Sequence, residues 1–179
     1  QIYSAREDEH LWSIEGRVPV FTYAGQMIRE AERDIMCVLA DPELDLLRKD
    51  LVRAEERGTT IRALLTGQGE LKAGQVAHHP PLESELQKIT QMAMVIRDNS
   101  EVLIANMGLE TTATITRNHN LVFIAGQFVW MELFAQRVYA RLGPELLARL
   151  EPDDRQIFES LDQGLEPLAL RSEKLKGNR

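Results

Sequence analysis

Gln91-Met92-Ala93-Met94-Val95-Ile96-Arg97-Asp98, continued by Asn99-Ser100-Glu101-Val102-Leu103-Ile104-Ala105-Asn106, is the stretch on which the fold turns. Residues 92 to 97 and 101 to 106 are two apolar runs, and Asp98-Asn99-Ser100 between them supplies short polar side chains that bond their own backbone in tight turns. The pattern predicts a hairpin of adjacent strands. Upstream, Glu9 to Glu15 reads as a short strand ended by Gly16. Residues 19 to 33 read as a helix with Pro19 in its first turn and Val20, Ala24, Met27, Ile28 and Ala31 on one face. Ile35 to Ala40 is a continuous apolar run, the mark of a strand covered on both faces. Asp41 is placed to accept the free amides of a helix starting at Pro42, which buries Leu44, Leu47, Leu51 and Ala54 and ends at Gly58. Thr59 to Leu65 is a further buried strand. Strand, helix, strand, helix, strand with short joints implies right-handed crossovers in an α/β fold whose mixed sheet is largely parallel and flanked by helices.

Between that unit and the hairpin, Gly67 to Ala77 contains Gly67, Gly69 and Gly74 and little periodicity, which predicts an exposed loop. His78-His79-Pro80-Pro81 closes it, and Leu82, Leu86 and Ile89 suggest a short amphipathic helix. Downstream, Thr111 to Thr116 alternates and is β-branched, a strand pattern. From Leu121 the series Ile124, Phe128, Met131, Ala135, Val138 and Leu142 tracks a long helix to Gly143, capped by Asn118 or Asn120; this series is expected to face the core, with Trp130 and Phe134 widening it. Pro144 interrupts. Residues 1–143 are therefore expected to form the main domain and 144–179 a small helical tail, in which Asp153 and Asp154 sit at the positive end of a helix over Pro152 to Leu161.

At 179 residues, 44% hydrophobic and 27% charged, the chain can bury one good core. A net charge of −7 argues against nucleic acid held by this segment alone, because that affinity rests on clustered Lys and Arg. The single cysteine, Cys37, lies in an apolar run and reads as a small buried hydrophobe. No uninterrupted apolar run approaches the roughly 18 residues of a membrane span, and no signal peptide opens the chain, so a cytoplasmic protein with no membrane partner is expected. A first residue other than Met suggests a piece of a longer protein. His78 and His79 invite a metal reading, but a tandem pair seldom aims both rings at one ion and no Cys or paired carboxylate stands at ligand spacing; no metal and no cofactor are expected.

The flanks of residues 91 to 98 resemble a phospholipase D active-site strand. In that superfamily a His, a Lys two residues later and an Asp five further on share one site. Here the first position is Gln91 and the second Ala93; Asp98 alone remains, and the small Gly-Ser pair of the next strand is replaced by Ala105 and Asn106. An amide is no nucleophile and a methyl cannot hold a phosphate, so the resemblance implies the fold without the catalysis. His119, the remaining candidate nucleophile on this side of the chain, has Asn118 and Asn120 beside it rather than Lys.

Taken in order, Leu11-Trp12-Ser13-Ile14-Glu15-Gly16-Arg17, Met27-Ile28-Arg29-Glu30-Ala31, Ala54-Glu55-Glu56-Arg57-Gly58, Asp98 to Ile104 and the Phe128 to Tyr139 helix resemble the phospholipase D-like middle domain of TrmB-type transcriptional regulators. That resemblance implies a non-enzymatic, effector-sensing homodimer attached to a DNA-binding helix-turn-helix largely outside this chain. In some members the effector is a sugar; this chain departs from those by lacking a long β-rich extension. Leu150 to Leu165 is similar to the opening of a LuxR-type helix-turn-helix. Trp12, Arg17, His78, His79, Arg97, Asp98 and Asn106 are the candidate ligand-binding residues, several with a structural alternative: Asp98 as a turn cap, Arg97 as a partner of Glu101, Trp12 as core, His78 and His79 as loop packing. A protein-interaction scaffold and, against the missing His and Lys, a phosphodiesterase are the competing functions.

Overall fold

The computed structural model describes residues 11–79 and 92–154. The strands are β1 (Leu11–Glu15), β2 (Asp34–Ala40), β3 (Thr60–Thr66), β4 (Gln75–His79), β5 (Met92–Arg97), β6 (Glu101–Met107) and β7 (Thr111–Thr116); the helices are α1 (Arg17–Glu30), α2 (Asp41–Glu56) and α3 (His119–Arg149). They form one seven-stranded sheet in the order β1-β7-β6-β5-β2-β3-β4.

The strand–helix units β1-α1-β2-α2-β3 stand as the sequence predicts, yet the sheet is mostly antiparallel. Only β2–β3 and β3–β4 pair in parallel; β1–β7, β7–β6, β6–β5 and β5–β2 are antiparallel. The expectation of a largely parallel sheet fails because the β5-β6-β7 meander inserts between β1 and β2, and each tight turn reverses the chain. The hairpin itself forms around Asp98 and Asn99, both at positive φ (52° and 50°), a backbone that Asp and Asn tolerate better than most residues.

The expected loop after β3 contains β4. Gly74 sits at φ 69° where a Cβ would collide with the carbonyl of Ile61, so only glycine lets the chain turn back onto the edge of β3. Asp41 does not cap α2, whose N-cap is Ala40. Its carboxylate reaches across to the loop after β3, where Gln68 and Gly69 donate their amides at 2.9 and 2.7 Å. Those two hydrogen bonds hold its carboxyl below the usual range.

Helices cover both faces of the sheet. Beneath α1 and α2, Val20, Ile28, Leu47 and Leu51 pack on Cys37, Leu39, Ile61 and Leu103. Burial in that layer pushes the Cys37 thiol up to about 12, which keeps it protonated and inert. On the other face, Val122, Ala125, Val129 and Leu133 of α3 pack on Met36, Val38, Met94 and Ile96. Asn118 caps α3, accepting the amides of Asn120 and Leu121 at 3.1 Å each.

The core stripe of α3 is not the one the periodicity selects. Ile124, Phe128, Met131, Phe134 and Leu142 are 42 to 62% exposed, and Trp130 is 46% exposed. The helix is apolar on both sides, and the sheet takes Val122, Ala125, Val129 and Leu133, leaving the bulkier set outward. By length and composition His119–Gly143 could cross a membrane, a property that a search for uninterrupted apolar runs misses; its inner stripe is nevertheless committed to the sheet. At Gly143 (φ 38°, ψ −124°) the helix kinks and then continues to Arg149. The helix expected over residues 82–89 and most of the tail, including the stretch similar to a helix-turn-helix, lie outside the described residues.

Candidate functional site at the ends of the sheet

The seven residues singled out by sequence do not converge. Strand register places Arg17, His78, His79 and Asn106 at the end where β2 and β3 finish, since His79 lies beside Thr66 and Asn106 beside Met92 and Thr112. Arg97 and Asp98 stand at the opposite end, where β2 begins, and Trp12, one residue into β1, lies on the same side beside Ile115.

At the first end, Gly16 turns the chain from β1 into α1 and its amide donates to the carbonyl of Thr111 at 2.8 Å. That turn brings Arg17 over the ring of Phe21, 5.3 Å from its centre, and within 3.0 Å of the Glu43 carboxylate. Glu43, whose side chain is 7% exposed, is the charged group here that pattern reasoning missed, because it occupies the first turn of α2 and reads as a favourable dipole partner. His78 Nε2 lies 3.1 Å from the carbonyl oxygen of Gly69. Successive side chains on a strand point to opposite faces, so His78 and His79 cannot aim at one ion. Among the described residues no cluster of His, Cys, Asp or Glu could hold a metal. Asn106 Oδ1 accepts the amide of Gly108 at 3.1 Å and the side chain is exposed.

Ala93, the position where the phospholipase D resemblance would place Lys, lies on β5. It pairs with Ala105, which pairs with Ala113, and all three methyls are buried under α1. Gln91 lies outside the described residues. A row of alanines offers no charge, no proton and no donor to a phosphate.

At the opposite end, Asp98 is fully engaged by the backbone. Its carboxylate accepts the amides of Glu32, Arg33 and Asp34 at 3.1, 2.7 and 3.0 Å, tying the hairpin turn to the loop that enters β2. Partial burial pushes its carboxyl upward, but these three donors outweigh it and hold it below the usual value. Neighbouring Asp34 is raised, by burial first and then by the Asp98 charge. Arg97 joins Glu30 at 2.6 Å and Glu101 at 2.9 Å.

Glu101 is 1% exposed, and besides Arg97 it receives the guanidinium of Arg117 and the hydroxyl of Tyr23, each at 3.0 Å. Trp12 packs against the core and lies 5.7 Å beneath Arg117. Burial, then the bond to Glu101, pushes the Tyr23 hydroxyl up, and the Glu101 charge raises Arg117. A buried acid with three partners holds α1, the hairpin and the segment after β7 together. Its signal in sequence was slight: an acid at the start of an apolar strand.

This architecture, a mixed sheet between helix layers with Ala93 buried on β5, defines a phospholipase D-like fold. The family model described as "Transcriptional regulator TrmB, EBD N-terminal subdomain" matches residues 10–131. The chain belongs to the TrmB family of transcriptional regulators. Among solved structures it is similar to TrmBL2, an archaeal chromatin protein, at 17% identity and TM-score 0.55, over 69% of this chain and 52% of that one. It is also similar to Nuc, a phospholipase D family member from Salmonella typhimurium, at 15% identity and TM-score 0.51, and to NucT from Helicobacter pylori at 8% and 0.52; each likeness covers 71% of this chain and 96% of the other. These likenesses establish the fold. The chain spans about half the length of the TrmBL2 chain. None of the curated proteins matches its sequence.

Proposed function

We propose that this chain is the effector-sensing and dimerising part of a DNA-binding transcriptional regulator, not an enzyme, and that two copies meet along the outward face of α3. The observation that carries the reading is the second apolar stripe. Ile124, Met131 and Val138 recur every seven residues, and Phe128, Ala135 and Leu142 follow four residues behind each. That spacing is the seam by which helices pair, and a helix apolar on both sides is stable in water only when both sides are covered. A second copy suits it because a regulator reading a two-fold DNA site needs a two-fold partner. DNA contact is assigned to a helix-turn-helix beyond the described residues, in keeping with the net charge of −7.

For the effector, the Arg17, His78, His79 and Asn106 end is the better candidate, since open α/β sheets bind ligands beyond the carboxyl ends of their parallel strands. Arg97, Asp98 and Trp12 are assigned to holding the fold. Light scattering tests the pairing: the expected mass is twice the monomer, and Met131→Glu should halve it. A phosphodiesterase is argued against by the Ala93 methyl; turnover of bis-p-nitrophenyl phosphate, abolished by a single substitution, would reverse that reading.

A further inference from the structure

On the α3 side, toward the end of the sheet where β2 begins, a cleft of about 280 Å³ opens between α3 and the β3–β4 edge, lined by Arg62, Gln75, Trp130, Leu133, Phe134, Arg137, Val138 and Arg141. Its wall is written in one row of α3. Trp130, Phe134, Arg137 and Arg141 succeed one another at four, three and four residues and so share one flank of the helix. Trp130 and Phe134 are stacked, ring centres 5.7 Å apart and planes 4° from parallel.

The charge here is unanswered. Arg137 and Arg141 have no ion pair or hydrogen bond among the described residues, and Arg62 makes none either, although its charge partly offsets the burial that raises the Asp34 carboxyl. Three guanidiniums line one cleft and concentrate positive potential there, although the whole chain carries a net charge of −7. One carboxylate does not balance them. A phosphate monoester, carrying −1.5 to about −2 at neutral pH and three acceptor oxygens, matches planar guanidinium donors. The parallel aromatic pair supplies what a flat ring needs, a surface on which a further ring extends the stack.

We propose that this cleft binds a small phosphate monoester bearing a flat ring, of the nucleoside monophosphate kind, with the phosphate on Arg62, Arg137 and Arg141 and the ring against Trp130 and Phe134. The volume, near the lower end for ligand sites of about 300 Å³ and above, favours a mononucleotide over a longer chain. The site is separate from the effector end of the sheet and does not require two copies to pair.

Calorimetric titration of the chain with AMP, adenosine and inorganic phosphate tests it. AMP should bind with a Kd below about 1 mM, and adenosine and phosphate at least about tenfold more weakly. Arg137→Gln with Arg141→Gln should weaken AMP by about tenfold or more, and Arg62→Gln, on a different element, should act in the same direction. All of this should persist in Met131→Glu, which separates the site from the pairing of copies. Absence of AMP binding, equal binding by the double variant, or phosphate binding as tightly as AMP would overturn the proposal.

Discussion

Asp98 is engaged by the backbone on every side that its carboxylate offers to the loop before β2. Its oxygens take three backbone amides, so it acts as a clasp between the hairpin and the loop into β2. Asp98→Asn turns an amide donor toward one of those N–H groups and should cost about 1–3 kcal/mol in denaturant melts. The pH dependence has a definite sign. The folded pKa of Asp98 lies below its unfolded value, so its contribution is fully present above that value, near 3.8, and is lost as pH falls through the folded pKa. The variant should therefore lose less stability between pH 5 and pH 2 than the parent; parallel acid melts of the two would contradict this. Ala93→Lys, the substitution that restores the superfamily's residue type, buries an ammonium among alanine methyls and should destabilise by about 3 kcal/mol or more rather than create activity. Sequence alone revealed that Ala93 and Gln91 lack the chemistry. It could not reveal that Asp41 serves the loop after β3 instead of its own helix, because capping partners 27 residues apart leave no local trace.

Elements carried by strong local patterns were legible: the helices over α1 and α2, the buried strands β2 and β3, and the hairpin with its Asp-Asn turn. β4 was not. Gln75-Val76-Ala77-His78-His79 lacks a run of β-branched residues and follows three glycines, so its strand character comes from pairing with β3 and from Ala77 packing in the layer under α3. Gly74 is the hinge of that arrangement. Gly74→Ala would strain a positive φ and push a methyl into the Ile61 carbonyl, and should cost about 2–4 kcal/mol, with amide exchange rising first along 75–79. Loss of stability spread evenly over the sheet would argue that β4 is not a separately docked strand. For α3 the period was legible and the phase was not. Two apolar stripes coexist on one helix, and hydrophobicity cannot say which meets the sheet: Val122, Ala125, Val129 and Leu133 do, while Phe128 and Met131 face outward.

At the scale of the whole molecule, the fold class and family were readable from order and spacing over most of the chain, whereas the direction of the sheet was not. Strand direction depends on where β5-β6-β7 inserts, a decision made by contacts among segments far apart in sequence. The candidate site suffered for the same reason: Asp98 and Asn106 are eight residues apart on one hairpin, yet a strand's length separates them and sends them to opposite ends of the sheet. The whole molecule presents an exposed apolar face on α3, with Ile124, Phe128, Met131 and Leu142 outward. The central claim is that this face joins two copies. Light scattering across a concentration series, run on the parent chain and on Met131→Glu, tests it most directly. The account predicts a two-copy mass for the parent and a one-copy mass for the variant, with unchanged circular dichroism. A parent that stays at one copy at the highest concentration, or a variant that still pairs, would contradict it.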